Sequence, residues 1–154
     1  MTIIEDSRQK LDKHSIKHEG FARGNATVVR CKIPVGDYCR PPEVSVDTKA
    51  GIQEIAQNIG GSKEEHERFI NELKLAREIG TKLIILIENT ESVEDIDDLK
   101  WWINPRSEFS PRAITGERLA RAMRTIEERY GCTFLFCHPE ETADTIIDLL
   151  RARK

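Results

Sequence analysis

The run Leu83-Ile-Ile-Leu-Ile87 constrains this chain more than any other stretch of it. Successive side chains of a strand point to opposite faces, so an unbroken apolar run makes both faces apolar. Such a strand belongs in the middle of a sheet, with helices packed on each side. At 154 residues the chain has enough length to supply those layers within one domain. Its 38% hydrophobic and 33% charged residues are the balance of a folded globular chain.

The neighbouring patterns supply the remaining elements. Residues 2–4 form a short apolar start, and the polar stretch to Asn25 shows no clear period and reads as loop. Residues 26–33 and 44–49 read as strands that pair in a hairpin-like unit around a short middle strand at 37–40, with Pro34-Val-Gly-Asp37 and Arg40-Pro-Pro-Glu43 as breakers. Ile52, Ile55, Ala56 and Ile59 recur at helical spacing until Gly60-Gly61. Ser62-x-x-Glu65 is a capping-box pattern, opening a helix lined by Phe69, Leu73, Ala76 and Ile79 that stops at Gly80. A long loop follows over 89–116, with a short helix predicted near 93–102, then a helix over 117–130 capped by Thr115. A last strand at 133–137 leads into a helix opened by His138-Pro139. Strands first, then helix and strand in alternation, predict an α/β three-layer sandwich with a central mixed sheet. Within one domain spanning 1–154, residues 1–88 form the core, 89–116 the loop and 117–154 the closing unit.

Charge narrows the partners. A net charge of −3 argues against coating nucleic acid by bulk electrostatics, although an enzyme needs only a local basic face. Arg8, Lys10, Lys13, Lys17, Arg23, Arg30 and Lys32, with His14 and His18, supply one near the start, whereas the run from Glu88 to Asp98 reads as solvated acidic surface. No apolar run is long enough to span a bilayer and the first residues lack signal-peptide character, so the expectation is a cytoplasmic protein with no membrane partner. Cys31, Cys39, Cys132 and Cys137 lack paired Cys-x-x-Cys spacing and read as reduced, half-buried thiols. Trp101 and Trp102 suit either base stacking or packing, with packing favoured for at least one.

The chemistry concentrates in Val44-Ser-Val-Asp-Thr-Lys49. The strand period sends Asp47 and Lys49 to one face, and a turn glycine before Asp37 frees the chain to aim a second carboxylate at Asp47. Two carboxylates make a hard oxygen site suited to Mg²⁺ or Mn²⁺. Phosphodiester hydrolysis needs an activated water, neutralised phosphate charge and a stabilised leaving oxygen. Lys49, one strand period beyond Asp47, is in reach of the water or the phosphate, and its pKa is expected to fall through desolvation next to a cation. Glu54 on the following helix and Asp6 near the first strand are further candidates for the acidic cluster.

The order Asp6, Gly36-Asp37-Tyr38, Asp47-Thr48-Lys49 and Glu54 resembles the nuclease domain of the xeroderma pigmentosum group F family, a branch of the PD-(D/E)XK superfamily. Ile4-Glu-Asp6-Ser-Arg8-Gln9 is similar to the family's Asp-x-Arg-Glu, and Asp47-Thr48-Lys49 to its Glu-Arg-Lys, with Gln9 and Thr48 as departures. Arg68 is similar to the basic residue of the second helix, and Leu83-Ile-Ile-Leu-Ile-Glu88 to the strand ending in Glu. The resemblance implies a restriction-endonuclease-like fold and a metal-dependent DNA endonuclease acting on branched or flap DNA. It gives catalytic roles to Asp6, Asp37, Asp47, Lys49 and Glu54, metal ligation to Asp37 and Asp47, and DNA contacts to Arg8, Lys10 and Arg68. The helix-hairpin-helix module of eukaryotic members finds no room here, which resembles the short versions carried by phages and prophages. The resemblance further implies a homodimer face in the closing elements, though a last helix that completes the monomer's core would carry the same apolar stripe. A non-catalytic DNA-binding domain and an RNA-cleaving enzyme share the fold and remain the alternatives.

Overall fold

A computed structural model describes residues 1–40 and 43–151; Pro41 and Pro42 of the expected breaker lie outside them. Six strands form one sheet: β1 (Thr2–Asp6), β2 (Thr27–Cys31), β3 (Tyr38–Arg40), β4 (Val44–Lys49), β5 (Lys82–Glu88) and β6 (Thr133–Cys137). Their spatial order is β2-β1-β3-β4-β5-β6. β1 runs parallel to β2 and antiparallel to β3, β3 antiparallel to β4, and β4, β5 and β6 are parallel. The sheet is mixed, as expected.

The apolar run of β5 works as its pattern demands. Leu83, Ile85 and Ile87 enter the core under helices α2 (Ile52–Gly60), α3 (Lys63–Glu78) and α4 (Gly116–Tyr130). Ile84 and Leu86 enter a second core under α1 (Ser15–Arg23) and α5 (Thr142–Arg151), with Phe21, Tyr38, Ile146 and Leu150. Three layers result. Helix ends follow local chemistry: the Ser62–Glu65 capping box forms in full, the Thr115 side chain accepts from Arg118 N, and Gly131 closes α4 at φ 71°. α5 is entered through a 3-10 turn over Pro139–Glu141. In the long loop, Asp97–Trp101 and Pro105–Glu108 are 3-10 turns. Trp102 is buried and Trp101 exposed, so packing holds for one of the two.

Two expectations are corrected. The stretch read as loop before Asn25 contains α1, hidden because its buried positions are Gly20 and Phe21, of which only Phe21 is a large apolar residue. That helix is the crossover between parallel β1 and β2, so β2 sits on the sheet edge beside β1 and does not pair with β4. Among the described residues no helix is long and apolar enough to cross a membrane.

Candidate functional site

The site starts at Gly36. Its φ of +76° lies where L side chains are strained, and a Cβ there would stand 2.3 Å from Ser45 Oγ. The turn delivers Asp37 to the entrance of β3, where its N–H donates to Val46 O at 2.8 Å. Gly36 N donates to Glu72 Oε1 at 3.0 Å, tying the turn to α3. The Asp37 carboxylate is then clamped: Oδ2 accepts from Thr48 N at 2.8 Å and Thr48 Oγ1 at 2.7 Å, and Oδ1 accepts from the Gln9 amide. Gln9 and Thr48, two of the positions that depart from the motif the sequence resembles, thus hold Asp37.

Asp47 and Lys49 share a face of β4, as the period of two requires. Lys49 Nζ lies 2.8 Å from Asp47 Oδ2 and 5.9 Å from the Phe69 ring, and both side chains are buried. Burial pushes the Asp47 carboxyl well above the usual carboxylate range; Lys49 pulls it back, while Asp37 and Glu72 push the same way as burial. Burial alone would lower Lys49, but Asp47, Glu54 and Glu72 outweigh it, and its pKa is raised. Lys49 is a fixed cation, suited to holding a phosphate or orienting a water and unsuited to taking up a proton.

These residues line a cleft of about 240 Å³. Asp37, Asp47, Thr48, Lys49 and Glu54 form one wall, and Glu54 also closes the first turn of α2 by accepting from Ala50 N at 2.7 Å. The cleft also brings in Gln9, Lys13, His14, Lys17 and Glu88, of which the sequence offered Lys13, His14 and Lys17 only as a basic face and Gln9 only as a departure from the motif. Glu88, assigned there to solvated acidic surface, is buried at the end of β5, 2.7 Å from Lys17 Nζ and accepting from Thr142 Oγ1 at 2.6 Å. The i, i+4 pairs Lys13/Lys17 and His14/His18 were the available signal for this helical wall.

A buried polar chain supports Asp37 from behind. Burial, with help from Lys17, lowers the His14 pKa, so the ring is neutral near pH 7. Because the Gln9 amide nitrogen is spent on Asp37, its oxygen must accept, and His14 Nε2 at 2.7 Å is the donor. His14 Nδ1 then accepts from the Tyr38 hydroxyl at 3.1 Å. Tyr38 OH also lies 3.5 Å from Glu5 Oε1, and Glu5 is paired with His18 at 3.0 Å and Arg30 at 3.0 Å.

Asp6 is not brought into the cleft. Its carboxylate is held by Arg8 Nε at 2.7 Å and Arg8 N at 3.2 Å, and only its main chain reaches the site, through Asp6 N to Asp37 O at 2.8 Å. Arg8 in turn spends its guanidinium on Asp6 and Ile33 O. Lys10 and Arg68 are exposed.

Among the described residues no three His, Cys, Asp or Glu side chains gather as a complete metal cage. Mg²⁺ binds through one or two carboxylates and keeps several waters. Asp47 Oδ2 is buried with no hydrogen bond, facing only the Lys49 ammonium. Asp37 accepts three hydrogen bonds on two oxygens, leaving lone-pair capacity. The donor set fits a hard divalent cation.

Neither a protein-family model nor a curated protein matches the sequence. Among solved structures, XPF from Aeropyrum pernix aligns with 98% of this chain at TM-score 0.70 and 18% identity. The fold is that of XPF. A second structure, XPF from Aeropyrum pernix in complex with DNA, aligns with 97% of the chain at TM-score 0.68 and 18% identity. The chain spans 64% and 63% of those two XPF chains.

Proposed function

We propose that this chain is a metal-dependent endonuclease that hydrolyses DNA phosphodiester bonds, with Asp37 and Asp47 holding Mg²⁺ or Mn²⁺. The observation that carries the reading is the buried Asp47–Lys49 pair, 2.8 Å apart, in a cleft that also contains Asp37. An XPF fold, seen in one relative bound to DNA, supports the substrate class. The bound cation would polarise the scissile phosphate and lower the pKa of a water. Lys49, protonated by its acidic surroundings, offsets phosphate charge and orients the attacking water. Thr48 and Gln9 fix the Asp37 carboxylate; exposed Lys13 adds positive charge at the cleft, and Lys17 offsets Glu88 within it.

A preference for branched or flap DNA belongs to the same reading. So does a homodimer through the closing elements, although the apolar side of α5 is buried in the monomer's own core. Among the described residues β6 pairs only with β5.

The test is cleavage of duplex, single-stranded, flap and junction DNA, and of RNA, by the purified protein with Mg²⁺ or Mn²⁺. Cleavage of DNA, lost in Asp37→Asn, Asp47→Asn and Lys49→Ala with folding retained, is the expected result. DNA left uncut with either metal refutes the reading, and cleavage of RNA alone reassigns the substrate.

A further inference from the structure

The long loop between β5 and α4 carries a basic segment that the catalytic cleft does not use. Arg106 and Arg112 line a second cleft, of about 280 Å³, together with Gln57 of α2 and Ser62 at the start of α3. Both arginines are exposed, and among the described residues neither guanidinium has an ion pair or a hydrogen bond. The α3 N-terminus is closed by its own capping box, so the cationic character here comes from the two side chains. Glu65 is the acid in this lining, and its carboxylate is spent on Ser62 N at 3.0 Å.

Between the arginines in the chain lie the exposed acid Glu108 and Phe109, the ring 87% exposed on the same turn, which is held by Phe109 N and Ser110 N bonding to Arg106 O; the segment keeps a net positive charge. The ring is therefore open to a planar partner, on a segment whose two arginines have no partner of their own. Cation–aromatic–cation is the composition that binds a nucleic-acid strand: guanidiniums on phosphates, the ring on a base face. The other exposed aromatic of the loop, Trp101, already carries Lys100 Nζ over its ring at 5.2 Å and lines a cleft with Glu91 and Asp98, acids that would repel a polyanion.

The location connects this segment to chemistry. Glu54 lines the catalytic cleft and Gln57 lines the second one. Residues three apart on a helix have Cβ atoms about 5–6 Å apart, so the two clefts adjoin across one turn of α2. We propose that Arg106, Phe109 and Arg112 form a second DNA contact beside the catalytic cleft, the arginines holding phosphates of the strand that leaves the cut site and Phe109 stacking on an unpaired base. The proposal rests on the nuclease reading for its biological sense, but its test does not depend on cutting.

Binding is measured by fluorescence anisotropy with wild-type protein in chelator, on a labelled single-stranded oligonucleotide and on a blunt duplex, across a salt series. Arg106→Gln/Arg112→Gln lowers the salt slope on the single strand by about 1.4, from roughly 0.7 for each lost phosphate contact. Phe109→Ala weakens single-strand binding roughly tenfold, leaves the salt slope and duplex binding unchanged, and is rescued by Phe109→Trp. All these positions are exposed, and thermal melting checks that each variant stays folded. An unchanged slope in the double variant, or unchanged single-strand binding in Phe109→Ala, overturns the contact. If the wild type cuts DNA while these variants bind as it does, the contact fails and the nuclease reading stands. If they lose binding but the wild type cuts nothing, the nuclease reading fails and the contact stands.

Discussion

Replacing Lys49 with Met removes the ammonium while keeping the apolar stem, and so isolates the electrostatics of the Asp47–Lys49 pair. Both groups are buried and 2.8 Å apart, so the change leaves Asp47 with no cation in contact. Removing one partner of a buried pair costs about 3–5 kcal/mol while the remaining charge persists. Asp47 escapes part of that cost by taking a proton. In the wild type its folded pKa already lies above its ordinary value. The folded state therefore binds this proton more tightly than the unfolded chain, and the contribution of Asp47 to stability falls as pH rises from about 4 through the folded pKa. Without Lys49 the folded pKa climbs further, and the loss extends upward by about 1.4 kcal/mol per added pH unit. Lys49 itself is protonated throughout the neutral range, since its pKa is raised from 10.5. The destabilisation by Lys49→Met should be about 1 kcal/mol near pH ~5.5, where the carboxyl is protonated, and approach about 3–5 kcal/mol near pH ~8.5. Urea unfolding followed by tryptophan fluorescence at several pH values measures it, Trp102 being buried. A gap between wild type and variant that is flat with pH, or larger at the acid end, refutes the reasoning.

Two further outcomes follow from the same structure. Metal binding should require Asp47 to lose its raised proton, so Mg²⁺ affinity rises with pH from the acid side and proton release accompanies binding; calorimetry in buffers of different ionisation enthalpy reads the released proton, and a pH-independent affinity contradicts the assignment. Gly116→Ala should destabilise by about 3 kcal/mol, since a Cβ there would stand 1.9 Å from Leu99 O and 2.7 Å from Trp102 O, main-chain atoms that hold the long loop against α4; a urea midpoint close to wild type would show that the loop yields freely.

Particular residues show how far the chain can be read without its fold. The apolar run of β5, the stripe of α2, the Ser62–Glu65 box and the Thr115 cap are local signals, and each element stands where its pattern put it. Alternation alone put Asp47 and Lys49 on one face. α1 was illegible because Phe21 is its one buried large apolar residue, and the turn that leads into it buries His14, made tolerable by Gln9 and Tyr38, partners 5 and 24 residues away in sequence. The pairing of β2 with β1 followed from the same omission, since a parallel pair needs a crossover helix.

The sequence by itself determined the layered architecture and the proximity of Asp47 to Lys49, because strand and helix periods act over a few residues. Tertiary structure decided the rest of the cleft. Glu88 and Lys17 come from β5 and α1, and they meet only once the sheet has ordered β1, β3, β4 and β5 side by side. It decided the charge on Lys49 as well. Burial would lower that pKa, but Glu54 and Glu72, delivered by two helices, join Asp47 in reversing the shift. Such a balance depends on distances between groups far apart in the chain, and no local pattern encodes those distances.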